Sequence, residues 1–201
     1  MNDTLDRFRS LVRSAARQLQ TGLSRTTVGV MRARLLDLSK GRLTIADSVL
    51  TAELARIEHV QSVTTACGDG TIHVDATFDD GSSVTVGFRP SLVSFAPRGA
   101  KEISFDIEPL ELVNDRRTAD LAGMIASLIA KTIWSPMLTG AELTMPIVDR
   151  EPGGVRIDLR SIPAVRAQLG QQVLGPLFEV LALGSIDVTR GALALTLKLY
   201  R

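Results

Sequence analysis

Apolar and polar residues alternate from Thr71 to Phe78, with Ile72, Val74, Ala76 and Phe78 on one face and His73, Asp75 and Thr77 on the other. That period of two predicts a half-buried strand. Asp80-Gly81 tolerates the positive φ angles of a tight hairpin, and Val84, Val86 and Phe88 resume the alternation on a returning strand. Pro90 is expected to end that strand or to place it at an edge, because proline cannot donate to a ladder. After a short apolar piece (Leu92, Val93, Phe95) and the breakers Pro97 and Gly99, Ile103, Phe105 and Ile107 alternate with Ser104, Asp106 and Glu108. The pattern is an antiparallel meander with one apolar and one solvated face. The period then changes. Leu121, Met124, Ile125, Leu128, Ile129 and Ile133 recur at three- and four-residue steps behind Asp115, a candidate N-cap, which predicts an amphipathic helix lying on the meander. Ala122, Gly123, Ala126 and Ala130 keep this helix slim, so it can approach a neighbour closely or leave room for a ligand beside the sheet.

The flanks follow the same logic. Leu5, Phe8, Val12, Ala15, Leu19 and Leu23 form a helical stripe, with Arg9, Arg13 and Arg17 on roughly the opposite side. Thr26 to Leu38 fits either a helix or a strand. Lys40-Gly41 predicts a turn, Leu43 to Ile45 a short strand, and Val49, Leu50, Leu54 and Ile57 a short helix capped by Asp47 or Ser48. The β-branched run from Val60 to Ala66 leads through Gly68-Asp69-Gly70 into the meander. Beyond Trp134, the turn Glu151-Pro152-Gly153-Gly154 joins Leu143, Met145, Ile147 and Val148 to the alternating Val155, Ile157 and Leu159. Ser161 is a candidate cap for a helix opening at Pro163, and Gly175-Pro176 should divide the apolar segment from Val173 to Leu183. Ile186 and Val188, the turn Arg190-Gly191, and Leu193, Leu195, Leu197 and Leu199 predict a closing hairpin. Together these elements predict an α+β fold: a strongly curved antiparallel sheet wrapped around one or two long apolar helices, with an N-terminal amphipathic helix in front. Residues 1–40 read as a basic helical extension and residues 41–201 as a single domain.

Charge alters this picture at one end only. Residues 1–50 hold nine Lys or Arg and four Asp or Glu, a local +5, whereas the other 14 basic and 18 acidic residues leave −4. The amino-terminal stripe is therefore the part suited to an anionic membrane surface, with Phe8, Arg9, Arg13 and Arg17 facing it. Docking on its own domain, or pairing with its copy in a homodimer, is the alternative use. No base-reading motif or aromatic interleaving accompanies the arginines, so nucleic acid is not expected as a partner. The first residues interrupt their apolar positions with arginine and lack the continuous hydrophobic stretch of a secretory signal, and no run approaches the roughly 20 apolar residues of a membrane span. A cytoplasmic, membrane-associated location is expected.

Little in the chain points to catalysis. Cys67 is the only cysteine, which excludes an internal disulfide, and with His59 and His73 it makes up every soft or imidazole ligand, at spacings that match no metal site. His73 falls on a polar strand face, and only burial beside Asp75 or Asp106 would favour a catalytic use. The glycine pairs match no phosphate loop, and Trp134 can plug the core or sit at a membrane interface. No catalytic residue, metal or cofactor is expected. The curved sheet, the apolar helix and the stretches Val155 to Leu159, Ser161-Ile162-Pro163 and Ile186-Asp187-Val188 through Leu199 resemble the tubular lipid-binding (TULIP) superfamily and its bacterial members. The resemblance implies a non-enzymatic carrier of lipid or another apolar small molecule, held between helix and sheet. Its ligand-binding residues would be Ile72, Val74, Val86, Phe88 and Phe105 on the sheet and Leu121, Met124, Ile125, Leu128 and Ile129 on the helix. The competing expectation is an interaction or scaffold protein with a fully packed core and no ligand.

Overall fold

The computed structural model describes residues 41–95, 99–134, 144–169 and 181–199. The expectations for the basic extension, including Phe8, Arg9, Arg13 and Arg17, and for Gly175-Pro176 lie outside the described residues. In order, the elements are β1 (Arg42–Ala46), α1 (Asp47–Leu54), β2 (Val60–Gly68), β3 (Thr71–Phe78), β4 (Ser83–Phe95) and β5 (Lys101–Glu108). A 3-10 turn (Leu110–Asn114) leads into α2 (Arg116–Trp134). The hairpin of β6 (Val148–Glu151) and β7 (Gly154–Asp158), a second 3-10 turn (Leu159–Ser161), α3 (Pro163–Leu169) and the hairpin of β8 (Leu181–Thr189) and β9 (Ala192–Leu199) complete the described chain.

The strands form two antiparallel sheets: six strands in the order β2-β3-β4-β5-β7-β6 and three in the order β1-β9-β8. Alternation decides which face goes inward. In β3 and β5 the apolar positions Ile72, Val74, Ile103, Phe105 and Ile107 are buried, while His73, Asp75 and Asp106 are exposed. The turns supply the required backbone: Gly81 (φ 79°) joins β3 to β4, and Gly153 (φ 86°) joins β6 to β7. Pro90 does not end its strand. It lies beyond Phe88, the last residue of β4 that pairs with β3, in the half of β4 paired only with β5, where a missing donor costs no ladder bond on the β3 side.

Two caps are reassigned. Asp115 does cap α2, its carboxylate accepting the Arg117 N–H at 2.7 Å. Asp47 instead spends its carboxylate on the Cys67 N–H of β2, at 3.1 Å, and Ser161 spends its hydroxyl on the Ile147 N–H at 3.0 Å and the Asp158 carbonyl at 2.7 Å. Both polar side chains tie α1 and the β6–β7 unit to neighbouring segments rather than closing a helix end.

The predicted architecture, a curved sheet wrapped around one or two long apolar helices, is not what forms. Half of the described residues are strand, they divide into two sheets, and the sheets do not close around a helical axis. The physical reason lies in β1 and the closing hairpin. The β1 strand pairs with β9 in the register Arg42 to Thr196 through Ala46 to Ala192, and β8 packs on β4, so the first and last strands make a layer of their own. Gly191 fixes that layer to the large sheet: its N–H donates to the Cys67 carbonyl and its carbonyl accepts from the Asp47 N–H, at 2.9 and 3.1 Å. Helix α2 then touches α1, β1, β4, β7 and both 3-10 turns, and every residue from Leu121 to Ala130 is buried, well beyond a single stripe. Each of Leu121, Ile125 and Ile129, withdrawn fully from water, contributes about 1.5–3 kcal/mol of transfer free energy toward the entropy of ordering the helix.

Candidate functional site

Three segments converge on the amino-terminal half of α2. Gly123 sets one of them. A β-carbon there would lie 2.8 Å from the Met145 Cε and 3.3 Å from a Val148 methyl, so the absence of a side chain lets the strand-like piece Thr144–Ile147 cross directly over the helix. The Ser127 hydroxyl secures the crossing by donating to the Thr144 carbonyl at 2.7 Å. The small residues of α2 thus admit backbone here, and Met145 is carried out to the surface beside Leu121 and Met124.

The loop between α1 and β2 and the turn between β3 and β4 supply the opposite wall. His59 is left-handed (φ 68°), an uncommon conformation for a residue other than glycine, and its carbonyl accepts the Asp79 N–H at 2.9 Å. That bond holds the two loops together. In the turn, Asp80 accepts from the Ser82 N–H at 3.0 Å and from the Ser82 hydroxyl at 2.6 Å. Arg117, reaching from the first turn of α2, donates to Ser82 and Asp80 and lays its guanidinium over the Phe78 ring at 4.7 Å.

Between these walls lies an open groove of about 920 Å³. Its floor is apolar: Ile57, Phe78, Leu121, Met124 and Met145. Its rim is charged, with Arg56, Arg116 and Arg117 against Glu58, Asp79, Asp80 and Asp120, and His59 between. The bonds from Ser82, and then the charge of Arg117, hold the Asp80 carboxyl below its ordinary 3.8. Asp120 goes the other way: burial raises it, Arg116 opposes the rise and Asp115 adds to it. A second, smaller cavity of about 260 Å³ sits between β1, α1 and the far half of α2, lined by Leu43, Ile45, Val49 and Leu128 with the Glu53–Lys131 ion pair (3.6 Å) at its edge.

The residues expected to bind ligand are divided by this arrangement. Leu121 and Met124 line the groove and Leu128 the smaller cavity. Ile72, Val74, Val86, Phe88, Phe105, Ile125 and Ile129 are at most 1% exposed and belong to one continuous core cluster, in which Phe88 and Phe105 meet edge to face at 6.0 Å. Trp134 is also core, stacked on Phe95 at 6.1 Å. His73 is exposed and is not among the described residues lining this groove, and Cys67 is buried, its thiol pushed up by burial and then by the hydrogen bond and charge of Asp47. His59 lies 3.6 Å from both Glu58 and Asp79, and among the described residues lining the groove there is no serine, threonine or cysteine. Among the described residues no three of His, Cys, Asp and Glu are grouped to hold a metal, and no helix is long and apolar enough to cross a membrane.

The sequence pattern missed the rim. Local pattern singled out none of Arg56, Glu58, Asp79, Arg116 and Asp120 and showed Asp80 only as part of a turn, whereas the apolar Ile57, Phe78, Leu121, Met124 and Met145 were legible. Compared with family models, curated proteins and solved structures, the chain matches none, so the chemistry of the groove is read from its own residues.

Proposed function

We propose that this protein is a non-enzymatic binding protein for an amphipathic molecule, and that the ligand lies in the groove over α2 rather than between α2 and the sheet. One observation carries the reading: a concave space of about 920 Å³ with an apolar floor and a charged rim, assembled from four separate segments. Its size falls in the range of small-molecule sites, and its division into an oily base and a polar border matches a molecule with a hydrocarbon body and a polar end. The Ile72, Val86 and Phe105 face, by contrast, belongs to the buried core cluster. The lipid or hydrophobic-ligand reading therefore moves to a site that is open along its length.

The test uses N-phenyl-1-naphthylamine, an uncharged probe that brightens in apolar surroundings, together with native mass spectrometry of the protein before and after solvent extraction. Ile57→Glu and Met145→Glu place carboxylates on the floor at positions that are only partly buried or exposed. Either change should reduce probe binding at least about tenfold, the effect of roughly 1.4 kcal/mol of lost apolar contact, while the melting temperature moves little. Unaltered probe binding in both variants, with no extractable amphiphile in the wild type, would overturn the proposal in favour of a ligand-free interaction protein.

A further inference from the structure

Taking the groove as the ligand site, we infer that the amphiphile it accepts carries a cationic head, such as an alkylammonium. The rim is uneven once its internal pairs are set aside. Arg117 is held by Asp80 and Ser82, and Arg56 is paired with Glu53 at 2.8 Å. Among the described lining residues, Glu58, Asp79 and Asp120 then stand against one arginine outside these pairs, Arg116. The surplus is two negative charges with His59 neutral, and one with it protonated.

Arg117 already rests a cation on the Phe78 ring at the groove edge, steadied by Asp80, so an arriving ammonium would be met by the carboxylates rather than by that ring. Among the described lining residues an anionic head would have Arg116 as the one arginine outside a carboxylate pair, and Glu58, Asp79 and Asp120 to repel it. Because Glu58 and Asp79 are largely exposed, attraction to them acts through high dielectric and is screened by salt. The preference should accordingly be moderate and salt-dependent.

The experiment displaces N-phenyl-1-naphthylamine from the full-length protein with three ligands of matched chain length below their micelle concentrations: dodecyltrimethylammonium, dodecyl sulfate and an uncharged dodecyl maltoside. At low salt the cation should displace the probe about tenfold more effectively than the anion, with the uncharged ligand between them. The triple variant Glu58→Gln, Asp79→Asn, Asp120→Asn should erase the difference between cation and anion, each measured relative to the uncharged ligand on the same protein. Equal binding of cation and anion, or a preference for the anion, would overturn the inference and leave the groove proposal standing. Failure of all three ligands and of the probe would overturn both. A synthetic peptide of residues 3–23 supplies the other occupant: if it displaces the probe and dodecyltrimethylammonium does not, the groove is a peptide site and the small-molecule inference is wrong.

Discussion

Asp120 and Asp80 sit on the same rim and respond oppositely to acid. Burial raises the Asp120 carboxyl above its ordinary 3.8, so the folded state binds that proton more tightly than the unfolded chain does. Its ionised form is a cost to folding at neutral pH, relieved as pH falls through the raised value and fully removed below 3.8. Asp80, lowered by its bonds from Ser82 and by Arg117, contributes stability above 3.8 that is lost as pH falls through its depressed value. Asp120→Asn should therefore melt above the wild type at pH 7, with the advantage shrinking as the buffer approaches pH 3.8; Asp80→Asn should melt below it at pH 7, with the deficit vanishing at the acid end. Parallel shifts of the two variants across a pH series of thermal melts would contradict this assignment. At this scale the sequence was informative about type and silent about partnership. Asp115 was recognisable as a cap because the cap bond spans two residues, whereas Asp80 and Arg117 are 37 residues apart and meet only when the turn and the helix are both in place. Lys101 teaches the same lesson from the inside. Counting back by twos from Ile103 puts it on the inward face, and it is 1% exposed with its ammonium 5.4 Å from the centre of the Phe95 ring, yet nothing local revealed that aromatic neighbour.

Helix α2 is the element on which the groove depends, and its two halves have different surroundings. Ile125 is packed in the common core, while Leu128 borders the cavity of about 260 Å³. Truncation leaves a larger new void where the surroundings are tight and cannot relax into it. Ile125→Ala should cost about 4 kcal/mol and Leu128→Ala about 2 kcal/mol, within the range for buried aliphatic deletions, as measured by denaturant unfolding with unchanged slope. A Leu128→Ala cost equal to or above that of Ile125→Ala would show that the smaller cavity does not loosen that half of the helix. The stripe Leu121, Ile125, Leu128 and Ile129 was legible because helical spacing alone generates it. That Gly123 and Ser127 are buried as well was not, since the segment crossing them comes from residues 144–148.

At the scale of the whole molecule, Cys67 reports whether the two sheets stay together. Its strand is an edge of the large sheet, and the bond from Gly191 to its carbonyl brings the β8–β9 hairpin against that edge. With the thiol buried and its pKa raised, alkylation by iodoacetamide at pH 8 should be slow in the native protein and should rise with urea in step with the loss of circular dichroism. Complete labelling before any loss of structure would mean that the small sheet detaches on its own. The two-sheet arrangement also marks where sequence reasoning stops. Alternation at Thr71–Phe78, Ile103–Ile107 and Leu193–Leu199, together with Asp80-Gly81, Gly153-Gly154 and Arg190-Gly191, determined the hairpins, because strand period and turn backbone are properties of neighbouring residues. The stripe from Leu121 to Ile133 determined a helix for the same reason. Which element covers each apolar face is not a local property. The pairing of Arg42–Ala46 with Ala192–Thr196 joins residues some 150 positions apart, and it turns on which of several apolar faces buries the most surface once the loops are closed. Tertiary structure alone decided that the chain makes two sheets instead of one wrapped sheet, and that three unremarkable loops and a helix end meet as a groove.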